Sequence, residues 1–430
     1  MPQNCRGKIL LSLSPGVCRL RFRRILLTYT QISANIECMV QLDRSISPQI
    51  ERALGRGKSI LLLGPRQTGK TTLLRPIPCD LSISLIKTSL KQRYEKDPSL
   101  LEQEIEELAK RKDKKLLILL DEVQKVPELL DVAQNFHDSG LAQFILTGSS
   151  ARKLRKQKAN LLPGRVVALH LDPLTLNETP VSKRNLTSLL TYGSLPGILL
   201  QENQLDQETD LQSYVETYIE DEIRAESTVR NLSKFSRFLE LACSESGKIL
   251  NFQKLSQEIN VAHTTIASYY QILEDCLLLE RIEPISDSKT RKKLTRTQRF
   301  LIFDLGVRRV AAGEPSALSE HALGNLFEHW VGLELIRCAR FSIEPTKIRF
   351  WRDPDGPEVD WVIEKDQHFV PIEVKYSKAP GKSDAKHLET FLDEYPNSSK
   401  GYIVCRTEQA FQISPRITAI PWQELPGLVG

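Results

Sequence analysis

Continuous apolar runs alternate with amphipathic stretches through the first part of the chain. The charged stretch LEQEIEELAKRK, residues 101–112, has helical spacing, and DLSISLIKTSL before it has the character of a strand. Apolar strands separated by helices are typical of a mostly parallel sheet covered on both faces, so the pattern predicts an α/β fold. The apolar runs lie within residues 59–74, 114–130, 142–150 and 165–171.

The pattern changes twice further along. From about residue 176 it is helical, and residues 251–282 contain three short helical segments with helix-turn-helix spacing. Strands return from about residue 300, with helices around 322–338 and 384–394. We therefore predict an N-terminal extension, an α/β core, a helical lid or connector, a winged helix-turn-helix and a second α/β domain. Their predicted bounds are 1–38, 39–175, 176–245, 246–300 and 301–430.

Charge is distributed unevenly. The 430 residues carry 59 Lys and Arg against 54 Asp and Glu, a net charge of +5. Residues 1–38 hold six basic residues and one acidic residue, so they carry +5 and the remainder is close to neutral. Only local patches of positive charge can therefore support a prediction of nucleic-acid binding. We interpret the tail as an over-extended start before Met39; an Arg-rich targeting segment is the alternative.

Cysteine usage and hydropathy exclude several classes of protein. The eight cysteines are scattered without a C-x-x-C pair or a histidine at zinc spacing, which argues against a disulfide framework and a zinc site. No window of eighteen apolar residues is present, so the sequence predicts no membrane span. We expect a cytoplasmic protein with reduced thiols.

Residues 64–71 fit the pattern G-x-x-x-x-G-K-[ST] between an apolar run and a helical stretch. Its glycines let backbone N–H groups turn inward around phosphate oxygens, and a following helix start favours the same charge. Lys70 would reach the β- and γ-phosphates of ATP, and the Thr71 hydroxyl would ligate Mg²⁺. The alternative is a glycine-rich turn that matches by accident. The predicted nucleotide-binding residues are Gly64, Pro65, Arg66, Gln67, Thr68, Gly69, Lys70, Thr71, Thr72 and, further on, Asp121.

Two acids end the next apolar run, where open α/β sheets bind ligands. Asp121 would hold Mg²⁺ through water, and Glu122 would polarise the attacking water, which predicts hydrolysis. Acids that decorate a helix N-terminus are the alternative. Thr147 ends another run and could sense the γ-phosphate, or residues 148–150 could cap the next helix. Arg165 could be an arginine finger, but we favour a surface ion pair.

Five segments, in this order, resemble a family of prokaryotic AAA-type ATPases with a C-terminal domain of unknown function. They are LLLGPRQTGKTTLL, LLDEVQKVPELL, FILTGSSARKL, LPGRVVALHLDPLTLNE and GSLPGIL. The resemblance spans about residues 50–380 and implies a P-loop ATPase core, a winged helix and a restriction-endonuclease-like domain. It also suggests rings, and hence a homo-oligomer. The role of the landmark Leu195–Gly197 does not follow from the residues.

The stretch NFQKLSQEINVAHTTIASYYQILEDCLLLERIEP has the spacing of a winged helix. Thr264, Thr265 and Ser268 would point outward from its recognition helix, although such side chains read bases weakly. The inward residues would be Leu255, Ile259, Ile266, Tyr270 and Leu273. A basic run follows where a wing would contact DNA phosphates, with a solvated hairpin of a protein-binding module as the alternative. The run comprises Lys289, Arg291, Lys292, Lys293, Arg296 and Arg299.

Charged residues recur on two further predicted strands, DPDGPEVDWVIE and HFVPIEVKYS. A helix acid, an Asp after a turn and Glu-x-Lys on the next strand are the arrangement of the PD-(D/E)XK nucleases. The matching positions are Asp360, Glu373 and Lys375, with Glu328 as the auxiliary helix acid.

The chemistry of such a site requires these residue types. Asp360 and Glu373 are hard oxygen ligands for Mg²⁺, with Glu328 as a third predicted ligand. A spacing of two residues along a strand puts Lys375 on the same face as Glu373, where its ammonium could orient or deprotonate a water for attack on phosphorus. Glu358 is a competing ligand.

Two functions remain open from the sequence. The first is an enzyme: a P-loop switch that hydrolyses ATP with Mg²⁺, coupled to a DNA-binding winged helix and a Mg²⁺-dependent nuclease-like site. The second is an ATP-dependent regulator that binds DNA or a partner and whose last domain does not cleave. In that case the acids would be paired with Lys375 and Arg352 on an inherited scaffold. Loss of DNA nicking in Asp360→Ala and Lys375→Ala would distinguish them.

Overall fold

The computed structural model describes residues 42–150, 164–219, 231–285, 294, 297–353 and 356–429. The chain divides into Met1–Asp43 and Arg44–Gly430, and every element below belongs to the second unit. Across the described ranges, no helix is both long enough and apolar enough to cross a membrane. The predicted extension 1–38 lies outside the described residues, as do the predicted wing residues Lys289, Arg291, Lys292, Lys293 and Arg296.

A five-stranded parallel sheet confirms the α/β prediction. Its order is β2-β3-β4-β1-β5. The strands are β1 (Ser59–Leu63), β2 (Leu81–Ser84), β3 (Leu116–Asp121), β4 (Ala142–Gly148) and β5 (Val166–His170). Strand β4 therefore lies between the strand that precedes the predicted phosphate loop and the strand that ends in Asp121. Because all neighbours are parallel, the carboxyl ends of these three strands meet at one edge.

Helices cover both faces of this sheet. They are α1 (Ser47–Gly55), α2 (Lys70–Leu74), α3 (Thr88–Lys96), α4 (Ser99–Arg111) and α5 (Leu129–Asp138). Helix α4 buries Leu101 and Ile105, one helical turn apart, in the same cluster as Phe136 of α5. Helix α1 buries Ile50 in a second cluster with Leu62 of β1. The sheet thus has a core on each side, as continuous apolar strands require.

A helical connector follows, and its GSLPG segment meets the later parts of the chain. The connector comprises α6 (Leu186–Tyr192), α7 (Pro196–Leu199), α8 (Gln204–Ser213), a π-helix (Tyr214–Ile219) and α9 (Leu232–Ser244). Gly193 has a φ of 75°, and a Cβ there would overlap the carboxylate of Asp304. That buried carboxylate accepts hydrogen bonds from the N–H groups of Ser194 at 2.7 Å and Val307 at 3.1 Å. The segment is therefore fixed against residues 304–307, which come much later in the chain.

The next part of the chain, called the helix-turn-helix module, comprises two helices, an antiparallel strand pair and the turn of residues 245–251, whose Ile249 bridges to Arg299. The helices and strands are α10 (Phe252–Ile259), α11 (His263–Asp275), β6 (Leu279–Ile282) and β7 (Arg299–Ile302). Of the three residues predicted to point outward, Thr264 and Ser268 are exposed and Thr265 is half-buried. The third predicted helical segment is instead β6: Leu279 and Ile282 have a helix-like spacing, but pairing with β7 makes the segment extended. The five predicted inward residues, Leu255, Ile259, Ile266, Tyr270 and Leu273, are all buried.

The C-terminal domain contains a six-stranded mixed sheet of order β12-β13-β11-β10-β9-β8. Helix α12 (Leu305–Ala311) precedes this domain and packs on the connector, where Val307 joins the cluster of Tyr192 and Phe235. The elements of the domain itself are α13 (Glu320–Ala339), β8 (Thr346–Arg352), β9 (Glu358–Lys365), β10 (His368–Val374), α14 (Lys386–Glu394), β11 (Gly401–Cys405), β12 (Phe411–Ser414) and β13 (Ile417–Pro421). Trp361 of β9 packs on Gly332 of α13, where a Cβ would overlap its ring. Val362, the next residue, joins a cluster with Phe391 of α14. Consecutive strand residues face opposite sides, so the two helices cover opposite faces.

Candidate functional site

The predicted phosphate loop joins β1 to α2 at the carboxyl edge of the first sheet. Gly64 is buried against Leu171, whose carbonyl oxygen an added Cβ would overlap. Gly69 has a φ of 94°, a conformation that glycine adopts readily. Gln67 also has a positive φ, 61°, and the Thr68 hydroxyl donates to the Pro65 carbonyl at 2.9 Å. The backbone therefore makes the tight turn that the fixed glycines predict.

Lys70 lies on the loop itself. Its side chain is buried, and its ammonium donates to the carbonyl oxygens of Gly64 at 2.7 Å and Pro65 at 2.9 Å. A buried ammonium requires such partners. Thr71 is exposed and Thr72 half-buried at the start of α2. The positive charge is thus held where the loop would surround phosphate oxygens.

Asp121 is held by hydroxyl groups from both neighbouring strands. It is 5% exposed at the end of β3. Its Oδ1 accepts from the Thr147 hydroxyl of β4 at 2.6 Å, and its Oδ2 accepts from the Ser84 hydroxyl of β2 at 3.0 Å. The Thr147 oxygen also accepts from the Glu122 N–H at 2.9 Å. Thr147 therefore links both acids, while the alternative helix cap from 148–150 depends on residues after Ser150 that lie outside the described part. Ser84 was missed by sequence reasoning; its position at a strand end was the available signal.

Glu122 has a φ of 60°, a left-handed conformation that is strained for a residue with a side chain. Its carboxylate is buried, accepting from the Ser149 hydroxyl at 2.9 Å and from the Gln124 amide. That amide also lies 3.0 Å from the Ser149 oxygen. The Gln124 Oε1 is buried and finds no partner among the described residues. Gln124 was missed by sequence reasoning, although a polar residue two positions after the acid pair was visible.

Arg44 links the phosphate loop to the end of β5. Its guanidinium donates to the carbonyl oxygens of Thr68 and Asp172, both at 2.7 Å. It also lies 3.2 Å from the Glu178 carboxylate, and both side chains are buried. The planar guanidinium presents several N–H donors in a fixed geometry, which suits contact with three partners at once. Arg165, in contrast, forms an ion pair with Asp138 at the surface.

Arg340, the residue after α13, joins three domains. Its guanidinium pairs with Asp172 after β5 and, at 2.6 Å, with Glu280 of β6. His170 Nδ1 lies 3.1 Å from Asp172 Oδ1. Burial acts to raise the pKa of Asp172, but Arg340 and His170 outweigh it and hold the pKa far below its ordinary value. Sequence reasoning missed this network because no local pattern marks it.

Three residues of this network, His170, Asp172 and Glu280, are the one group in the described ranges whose side chains could together hold a metal ion. Ligand atoms of His170, Asp172 and Glu280 all lie within 4.8 Å of one another. Arg340 already neutralises both carboxylates, so the group acts as an ion-pair network between domains. Glu328, predicted as a metal ligand beside Asp360 and Glu373, does not form such a group with them.

Asp360 of β9, Glu373 of β10 and Lys375, which directly follows β10, come together. The antiparallel register pairs Trp361 with Ile372, so Asp360 and Glu373 are the next cross-strand neighbours. Both carboxylates are buried, 7% and 6% exposed. The Lys375 ammonium donates to Glu373 Oε1 at 2.7 Å. Glu373 Oε2 is buried and finds no partner within the described part of the chain. The two carboxylates therefore converge in the protein interior, with the half-buried Lys375 beside them.

Arg299 holds Glu328, and the prediction that it contacts DNA from a wing is wrong. It is 5% exposed. Its Nη1 donates to Glu328 Oε1 at 2.8 Å and to the Asp360 carbonyl at 3.2 Å. The guanidinium also stacks over the ring of Phe350 at 4.7 Å. Arg299 begins β7, and its side chain enters the C-terminal domain instead of solvent.

Burial dominates the electrostatics of this second site. It raises the pKa of Glu373 to about 8, with a further contribution from the charge of Asp360 and an opposing one from Lys375. It raises the pKa of Glu328 to about 7, again with help from Asp360 and against Arg299. The pKa of Asp360 is raised by burial as well. Raised pKa values of neighbouring acids are common at functional sites, although structural networks also produce them.

Comparison with known families divides the described chain into three parts. Residues 56–179 match the AAA domain family. Residues 183–317 and 323–425 each match a domain of unknown function. The order of these matches, an AAA domain and then domains of unknown function, agrees with the order that the resemblance implied.

Relatives cover most of the chain at low identity. An uncharacterized protein of Mycobacterium tuberculosis is 25% identical over 395 residues, which are 91% of this chain and 86% of the relative. An uncharacterized protein of Haemophilus influenzae is 23% identical over 359 residues, 78% of this chain and 86% of the relative.

Solved structures show only distant likeness. The ORC1 protein of Aeropyrum pernix, solved in complex with DNA, has a TM-score of 0.28 and 11% identity, covering 64% of this chain and 90% of that one. The Pif1 helicase of Candida albicans has a TM-score of 0.23 and 14% identity, covering 41% and 48%. The fold assignment rests on sheet order and the family match instead.

Proposed function

We propose that this chain is an ATP-hydrolysing switch whose nucleotide site is coupled to a DNA-binding winged-helix module and to the C-terminal domain. The observation that carries the proposal is the meeting of the 64–71 loop, Asp121 and Glu122 at one sheet edge, linked by Thr147. A loop that only binds phosphate needs no buried carboxylate beside it. A carboxylate in this place suits the activation of water.

The proposed reaction is attack of water on the γ-phosphorus of ATP, which releases ADP and phosphate. Glu122 would accept the proton of the attacking water, with Ser149 and Gln124 orienting its carboxylate. Backbone N–H groups of the loop and the Lys70 ammonium would bind the phosphate oxygens. The Thr71 hydroxyl and the Asp121 carboxylate have the oxygen chemistry that Mg²⁺ requires, and Mg²⁺, when bound with ATP, would neutralise phosphate charge.

The coupling would pass through two arginines. Arg44 touches the phosphate loop at Thr68 and the chain at Asp172, and Arg340 joins Asp172 to Glu280 of the helix-turn-helix module. A shift of the loop on nucleotide binding would therefore act on contacts that hold the module and the C-terminal domain. Contiguous contacts supply a route, and the coupling itself has to be measured.

Hydrolysis is tested by substituting Glu122. Glu122→Gln keeps the volume and the polar contacts but removes the base, so phosphate release should fall by about 10²–10⁴-fold. Binding of ATP should persist in this variant and disappear in Lys70→Ala. Release at the wild-type rate in Glu122→Gln would contradict the assigned role.

A second activity, phosphodiester hydrolysis, is supported by the Asp360–Glu373–Lys375 cluster. The unpartnered, buried Glu373 Oε2 fits a cation site, and Asp360 supplies a second carboxylate. Mg²⁺, when bound, would supply a Lewis acid at the scissile phosphate. Lys375 would orient a water for attack on phosphorus.

The nicking of DNA by purified protein separates this activity from a non-cleaving regulator. With Mg²⁺ or Mn²⁺, we expect nicking that is lost in Asp360→Ala and in Lys375→Ala while ATP hydrolysis continues. An absence of nicking in the wild type, with ATP present, would favour the regulator. Assembly into a homo-oligomer stays a prediction, which sedimentation with and without ATP would test.

A further inference from the structure

A cavity of about 520 Å³ opens beside Glu328 and Asp360 of the second site, between the helix-turn-helix module and the C-terminal domain. Two of its lining residues come from the module: Lys248, in the turn between α9 and α10, and Arg299 of β7. The C-terminal domain contributes the others that matter here, Glu328, Arg352, Glu358 and Asp360. The cavity around the acids is thus built by two domains.

Arg299 is the structural link between them. Its backbone pairs with Ile249 in an antiparallel bridge, next to Lys248. Its side chain spans Glu328 Oε1 and the Asp360 carbonyl, on two different elements of the C-terminal domain. The Nε of this 5%-exposed arginine is buried and has no partner in the described ranges. A guanidinium fixed in this way holds the Glu328 carboxylate and the Asp360 carbonyl oxygen in position.

The rim of the cavity carries positive charge that is held loosely. The Lys248 side chain is 57% exposed, and its ammonium lies 3.2 Å from Glu245. Arg352 lies 3.3 Å from Glu358, and both side chains are 42% exposed. Exposed pairs of this kind contribute little stability, so these cations can turn toward a ligand at low cost.

The arrangement combines rim cations with buried acids beneath them. A phosphodiester backbone repeats negative charge along its length, so one phosphate can meet a cation held by acids while its neighbour meets Lys248 or Arg352. A neutral or single-phosphate ligand would not use both parts. A nucleic-acid backbone is therefore the ligand class that fits.

We propose that this cavity is a composite binding site for a nucleic-acid phosphodiester backbone. In it, the helix-turn-helix module supplies Lys248 as a phosphate contact and Arg299 as a positioning residue for Asp360, whose carbonyl oxygen it holds. The inference rests on the cation binding proposed for Asp360 and Glu373. It implies that the C-terminal domain alone lacks the complete site.

The test uses the full chain and fluorescein-labelled DNA, as a short single strand and as the matching duplex. Anisotropy gives the DNA affinity with Ca²⁺, which takes oxygen ligands as Mg²⁺ does, and with EDTA. Lys248→Ala should weaken the Ca²⁺-dependent affinity several-fold and lower the salt dependence by about one counterion. The matched control is Lys110→Ala, which removes a 68%-exposed lysine that also pairs with a glutamate three residues away.

Equal affinities of Lys248→Ala and Lys110→Ala would overturn the proposal, as would a wild-type protein that gains no DNA affinity from Ca²⁺. Asp360→Ala distinguishes a failure of the proposed cation site from a failure of the composite site. If it leaves the Ca²⁺ dependence intact, the proposed cation site is wrong. If it abolishes the dependence while Lys248→Ala has no effect, only the composite site is wrong.

Arg299 is tested by a pair of substitutions that thermal melting shows to be folded. Arg299→Met should weaken the Ca²⁺ dependence of DNA binding because Asp360 loses the donor to its carbonyl oxygen, and Arg299→Lys should recover part of it because an ammonium can still donate there. Equal effects of the two variants would contradict positioning by the cation.

Discussion

Replacing Arg340 with methionine removes a guanidinium that contacts two domains while keeping much of the side-chain volume. Asp172, 5% exposed, then keeps its burial and loses its strongest attraction. Removing one partner of a buried ion pair typically costs about 3–5 kcal/mol. The Arg340 side chain is 26% exposed, so we expect a loss of about 3 kcal/mol, at the lower end of that range.

The loss of stability in Arg340→Met should depend on pH, and the titration of Asp172 sets the direction of that dependence. In the wild type its folded pKa lies below the unfolded value, because Arg340 and His170 outweigh burial. This stabilisation is therefore present above the unfolded pKa, about 4, and is lost only as the pH falls through the folded pKa. Without Arg340, burial raises the folded pKa, so the folded variant takes up a proton more readily. The destabilisation should shrink as the pH falls from 7.5 toward about 5.

Urea unfolding followed by tryptophan fluorescence reports on the stability of the C-terminal domain. All four tryptophans lie there: Trp330, Trp351, Trp361 and Trp422. Arg340→Met should lower the midpoint at pH 7.5 more than at pH 5, and adding Asp172→Asn should recover part of the loss. The control is Arg416→Met, which breaks exposed pairs worth about 1 kcal/mol at most. Equal midpoints for the two arginine variants at both pH values would refute the reasoning.

Two further predictions concern α13: one tests how it packs, and the other tests the protonation of a buried acid on it. Gly332→Ala would place a Cβ in the ring of Trp361, and overpacking of this kind should cost about 1–3 kcal/mol, whereas Gly427→Ala, with open space around it, should be near neutral in the same urea assay. Burial raises the pKa of Glu334 to about 7, so the folded state binds its proton more tightly than the unfolded state, and stability falls as the pH rises from about 4 through 7. Glu334→Gln should therefore raise the thermal midpoint at pH 8 and change it little at pH 5; the same change at both values would contradict this.

Local patterns carried most of what could be predicted. Continuous apolar strands and the spacing from Gly64 to Thr71 depend on near neighbours in the chain, so the parallel sheet and phosphate loop follow from them. Asp121 and Glu122 could be placed because they end an apolar run. The convergence of Glu373 and Lys375 follows from the two-residue repeat of a strand.

Contacts between distant segments were beyond such reasoning. Arg340 meets Asp172 across 168 residues, and neither stands in a recognisable motif. Arg299 belongs to a basic run, which suggested solvent and DNA, yet its burial is decided by Glu328 and Phe350 of another domain. The segment of β6 has apolar spacing that fits a helix as well as a strand, and only its pairing with β7 decides.

Calorimetric titration of the folded full chain with ATP and Mg²⁺ measures whether the 64–71 loop binds nucleotide. We predict saturable binding in the wild type and in Lys91→Ala, which removes a lysine with a 40%-exposed side chain on α3. We predict no binding in Lys70→Ala, which removes the ammonium that lies on the phosphate loop. A wild-type protein that gives no binding heat with ATP, or a Lys70→Ala variant that binds as tightly as the wild type, would contradict the account.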